Sequence, residues 1–80
     1  MKDCDKAFEW TERSLRISDE IGDKASLAIA YGDIGVLYEK NGEYDKALDS
    51  YENSLRIAED IGATATVRKA KERIERLRSN

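Results

Sequence analysis

The chain has no proline, no histidine and a single cysteine, Cys4, in 80 residues. Each absence excludes something. Without proline, nothing forces a break inside a helix. Without histidine, Ser–His and Cys–His catalytic pairs cannot form, and a zinc site would lack its usual nitrogen ligands. One cysteine cannot close a disulfide within the chain, so a thin core must rely on close helix packing or self-association. No apolar run approaches the length of a membrane span. No signal-peptide pattern opens the chain, and with the lone cysteine this points to a reducing, cytoplasmic setting. Cys4 stands between Asp3 and Asp5, whose charges disfavour a thiolate, so an incidental thiol is expected rather than a reactive one.

Charge is plentiful but uneven. Residues 1–63 hold 8 basic and 15 acidic side chains, a net of −7, whereas residues 64–80 hold 6 basic and 2 acidic, a net of +4. Such asymmetry suits an acidic ligand, nucleic acid, or complementary ends that meet. Abundant charge with Leu, Ile and Ala at regular spacing reads as all-helical.

A shift of 40 residues lays the chain on itself without a gap. Asp5-Lys6-Ala7 falls on Asp45-Lys46-Ala47, Ser14-Leu15-Arg16-Ile17 on Ser54-Leu55-Arg56-Ile57, and Ile21-Gly22 on Ile61-Gly62. The register continues through Ala30 on Ala70, Ile34 on Ile74 and Leu37 on Leu77. A fixed period of this size marks a stacked repeat. Gly22 and Gly62 supply left-handed helix stops, and Asn41-Gly42 supplies a turn. These stops predict a single domain over 1–80 with four helices, about 4–21, 24–40, 44–61 and 65–78. Short connections make neighbours antiparallel. The third helix shows one apolar face: Tyr44, Ala47, Leu48, Tyr51, Leu55, Ala58 and Ile61. The second is apolar on several sides, from Leu27 through Ile34 to Tyr38, which predicts the central position.

In the second and third helices Tyr31, Ile34-Gly35, Tyr38, Ala47, Tyr51, Ser54-Leu55 and Ile57 form a pattern that resembles the tetratricopeptide repeat family, in its 40-residue class. The family's closing proline is replaced by Glu59. The resemblance implies an α-solenoid fragment of helical hairpins, with A and B denoting the first and second helix of each repeat. The order here is B-A-B-A. Gly35 resembles the small residue that lets an A helix approach its B helix, Ala47 the small residue opposite, and Tyr38 and Tyr51 the bulky fillers between them.

The resemblance also implies a scaffold that binds a protein or peptide in a groove lined by A helices. Carried over residue by residue, that groove holds Ile29, Gly32, Asp33, Val36, Glu39 and Lys40, and in the fourth helix Lys69, Glu72, Arg73 and Arg76. Asp33 stands where many members have Asn; an ionised carboxylate accepts hydrogen bonds but donates none. The plainer expectation is a surface pair between Asp33 and Arg73. Gly32 sits inside a helix, where it costs roughly 1 kcal/mol relative to Ala.

No enzyme is expected, and no cofactor. Asp19-Glu20 and Glu59-Asp60 read as solvated helix ends, and no glycine-rich phosphate loop exists. The basic fourth helix (Arg68, Lys69, Lys71, Arg73, Arg76, Arg78) lacks the interleaved aromatics that stack on bases, so nucleic acid is disfavoured. Where the second helix has Tyr31, Gly35 and Tyr38, the fourth has Lys71, Glu75 and Arg78, which resembles a capping helix. The first helix keeps Phe8 and adds Trp10 where the third has Ser50. Phe8 and Trp10 are the expected self-association residues of a homo-oligomer. Either a closed two-fold dimer or a head-to-tail superhelix would cover them, and solubility favours the closed form.

Overall fold

The computed structural model describes the backbone of residues 2–79 and the side chains of residue 6 and of residues 8–79. The Cys4 thiol therefore lies outside the described residues. Four helices follow in order: α1 Lys2–Ile21, α2 Lys24–Lys40, α3 Tyr44–Ile61 and α4 Thr64–Ser79. No strand occurs among the described residues. The all-α hairpin stack expected from the period is the observed architecture. Its inner helix boundaries match; α1 begins two residues before the expected start, and α4 extends one residue further at each end.

Three turns are built alike because three glycines take positive φ: 73° at Gly22, 80° at Gly42 and 73° at Gly62. After each, a backbone N–H returns to the helix just ended. Asp23 N–H donates to Ser18 O at 2.9 Å, Glu43 to Tyr38 O at 2.9 Å and Ala63 to Ala58 O at 2.9 Å. The terminal carbonyls are thus satisfied and the chain reverses at once. Asp23 then caps α2 by accepting from Ser26 N at 3.2 Å and from the Ser26 hydroxyl at 2.7 Å.

α2 is central, packing on α3 most extensively and also on α1 and α4. The Cα envelope measures 32 × 29 × 15 Å. Two helices about 8–10 Å apart, each with a Cα radius of about 2.3 Å, account for the short axis, so the stack is two layers thick. A helices α2 and α4 form one layer and B helices α1 and α3 the other.

The core uses small residues. Ala28, Ala30, Ala47, Ala58 and Ala70 are buried with Ile34, Ile74 and Tyr51. Among the described residues Tyr51 is the only large side chain wholly out of water, at 0 % exposure. It fits because Gly35 faces it across the α2–α3 contact: a Cβ at Gly35 would stand 2.5 Å from Tyr51 Cε1 and 2.6 Å from Cδ1. Tyr38, the other expected filler, packs half-buried against the core of Ala47, Tyr51 and Ile74 and also meets Phe8 of α1, with ring centroids 5.0 Å apart.

Candidate functional site

A cleft of roughly 280 Å³ runs between the A helices. α2 contributes Ala28, Ile29, Gly32 and Asp33, α3 closes the floor with Tyr51 and Ser54, and α4 contributes Thr66, Lys69, Ala70 and Arg73. Five of the residues expected for the groove, namely Ile29, Gly32, Asp33, Lys69 and Arg73, come together here. Val36 does not line the cleft. It packs half-buried against the core of Ala47, Tyr51 and Ile74. Glu39 and Arg76 lie further along α2 and α4 and bind each other, Arg76 Nη2 donating to both carboxylate oxygens at 2.9 Å.

The pair expected between Asp33 and Arg73 does not form. The Arg73 guanidinium lies over the Tyr51 ring, 5.6 Å from its centroid. Arg76, one turn on, takes the carboxylate of Glu39. An aromatic face is a good partner for the weakly hydrated guanidinium. The floor is tied by Ser54 Oγ, which donates to Ala28 O at 2.7 Å in the interior.

Tyr51 joins floor to rim: its hydroxyl donates to Glu39 Oε1 at 2.8 Å. Burial of the phenol first, and then its bond to the Glu39 carboxylate and the repulsion of that charge, push the Tyr51 hydroxyl up to about 12. The unfolded chain would release this proton near pH 10. Between about pH 10 and 12 the folded state therefore holds the proton more tightly, and its stability falls as pH rises through that window. Chemical denaturation along a pH series should show this decline. In Tyr51→Phe the slope should be reduced, because the titrating group is gone.

Gly32 is a different case from Gly35. A Cβ there would meet Arg73 Nη1 at 3.6 Å and Ser54 Oγ at 3.7 Å, which is ordinary contact. The fold has no steric need for glycine at this point.

Lys69 is exposed, and no ion pair involves it among the described residues. On the other side of α4, Arg78 turns back to Glu52 of α3 at 3.3 Å, while Lys71 and Glu75 remain exposed. The acidic pairs Asp19-Glu20 and Glu59-Asp60 are exposed at helix ends, and Asp60 binds Lys24 at 3.1 Å. Among the described residues no group of three His, Cys, Asp or Glu is placed to hold a metal. No described helix is long and apolar enough to cross a membrane.

A second groove, of roughly 440 Å³, lies between α1 and α2 and is lined in part by Trp10, Ile17 and Ile29. Trp10 is 70 % exposed. Phe8, expected beside it, is half-buried on Tyr38 and belongs to a different face.

The sequence profile of the family described as tetratricopeptide repeat matches residues 1–60. Comparison with curated proteins and with solved structures gave no match.

Proposed function

The chain belongs to the tetratricopeptide repeat family, and from that premise we propose that it is a protein-interaction module, not an enzyme, which holds an acidic segment of another protein along α2 and α4. One observation carries this reading: Gly32 on the wall of the cleft. A glycine inside a helix costs roughly 1 kcal/mol relative to alanine, yet its neighbours would admit a Cβ. Close approach of a ligand to the α2 backbone supplies the reason that packing does not. Lys69 and Arg73 give the cleft a positive side, and Asp33 can accept from a ligand N–H. The lone cysteine suits work in the cytoplasm.

The test is binding of a glutamate-rich peptide at low salt, followed by fluorescence anisotropy. Lys69→Glu should weaken binding several-fold, because a favourable charge becomes a repulsive one. It should leave the fold intact, since Lys69 holds no other part of the structure. Gly32→Gln should block the cleft. Equal binding by wild type and both variants would refute the site.

Self-assembly is a second reading, and it too has an observation behind it. Trp10 lines an open groove while 70 % exposed, and a large exposed aromatic in an apolar patch marks an interface.

A further inference from the structure

The internal repeat gives the groove between α1 and α2 a template. Beside α2, the cleft described above is walled on α3 and α4 by Tyr51, Ser54, Thr66, Lys69, Ala70 and Arg73. One period earlier stand Thr11, Ser14, Ser26, Ile29, Ala30 and Asp33, and all six line the α1–α2 groove. The surfaces that receive α2 in one repeat therefore recur in the other, where no described residue of the chain fills the space between them. This is a vacant helix seat.

Its shape is uneven. Ser14, Ser18, Ser26 and Ala30 make a low floor, and Trp10, Ile17 and Ile29 make a tall rim. Ile17 is 57 % exposed and Ile29 58 %. Along α1, Trp10, Ser14, Ile17 and Ile21 recur at four-three-four spacing, the seam of a helix that pairs with another. In α3 the matching Ser50 and Ser54 are buried, whereas Trp10 and Ser14 are exposed.

Resting on the self-assembly reading, we propose that this seat is filled by α1 of a second copy, paired antiparallel across a two-fold axis near Ser14. Three considerations select this occupant. First, the face is self-complementary. Pairing about Ser14 sets Trp10 of each chain opposite the buried Ser18 of the other, tall rim over low floor. Second, α4 is a poor alternative. As the A helix for α1 of another copy it would bury Lys71, Glu75 and Arg78, the charged residues on its B-facing side, and charges out of water are costly without new partners. The α1 seam contains no charge, and Asp33 of α2 is the one charged residue lining the groove, so pairing through α1 brings in no further charge. Third, the area suffices for a weak dimer. Trp10, Ile17, Ile21 and Ile29 are 57–70 % exposed, and with the floor residues two copies would bury on the order of 1,000 Å², the size of a small, transient interface. An affinity in the micromolar range is the expectation.

The experiment is absolute mass of the full chain by light scattering from about 10 µM to about 1 mM, a range that brackets micromolar affinity. The expected mass rises from one chain to two and stops there. Trp10→Glu, whose fold is checked by circular dichroism, should move the midpoint at least about tenfold higher. A second variant keeps the idea testable if that one misfolds. In a Cys4→Ser background, Ser14→Cys should form a disulfide-linked dimer under mild oxidation, because a residue on the axis meets its own copy within about 4.4–6.8 Å. Asp49→Cys, on the exposed side of α3, is the control and should not. A chain that stays monomeric to about 1 mM, with Ser14→Cys no faster than the control, overturns both the seat and self-assembly. A dimer whose midpoint ignores Trp10→Glu, or whose Ser14→Cys does not cross-link faster than the control, overturns the seat alone. Growth beyond two chains overturns the closed geometry.

Discussion

Gly35→Leu should lower thermal stability more than any exposed substitution in the chain. A Cβ alone at this position would be 2.5 Å from Tyr51 Cε1, so a leucine side chain has no space without parting α2 from α3. Overpacking of this kind costs about 1–3 kcal/mol, occasionally more. For a domain of this size each kcal/mol moves Tm by about 4–8 °C, so a fall of about 4–24 °C is expected. Gly32→Ala should move the other way. Its Cβ meets only ordinary contacts at 3.6 and 3.7 Å, and the gain in helix propensity, about 0.5–1 kcal/mol, should raise Tm by a few degrees. Two glycines three residues apart on one helix thus respond with opposite signs. If thermal unfolding shows the two variants shifting alike, the α2–α3 contact is wrongly described.

Tyr51→Ala should remove a large part of the chain's stability. Tyr51 is the one large side chain wholly buried among the described residues, and removing a buried aromatic costs about 3–5 kcal/mol. A chain of this length is stable by only about 4–12 kcal/mol at 0.05–0.15 kcal/mol per residue. Ala47, buried beside Tyr51, is too small to fill the hole that the ring would leave. Tyr51→Phe separates ring from hydroxyl. It keeps the packing and loses the bond to Glu39, which Arg76 still holds, so a loss of only about 1 kcal/mol is expected. Circular dichroism of the two variants would distinguish them. A Tyr51→Ala as stable as Tyr51→Phe would contradict the role assigned to this side chain.

The resemblance to the family pattern implied the role of Gly35, whereas the period of 40 residues made the helices and their order legible in the sequence. It did so because a repeat constrains many positions at once, and because positive-φ stops need glycine. What it could not specify is which way individual side chains turn. The sequence pattern puts Phe8 and Trp10 in one patch, yet residues two apart on an α-helix point about 200° apart. Phe8 accordingly found Tyr38, and Trp10 the open groove. Asp33 and Arg73 looked like a pair because they lie on facing helices with opposite charge. The partner actually chosen depends on reach: Tyr51 offers Arg73 an aromatic face, and Arg76 meets Glu39 37 residues away in sequence. The open groove between α1 and α2 was implied by the B-A-B-A order, but its low serine floor emerged only when the helices were set side by side.

The interaction-module reading rests on a ligand lying against α2 and α4. Amide chemical shifts of the isotope-labelled chain, recorded while a glutamate-rich peptide is added at low salt, test it most directly. Shifts concentrated at Gly32, Asp33, Thr66 and Lys69, which line the α2–α4 cleft, are the predicted result. Shifts confined to α1 or to the outer face of α3, with these four amides unmoved at saturation, would contradict it.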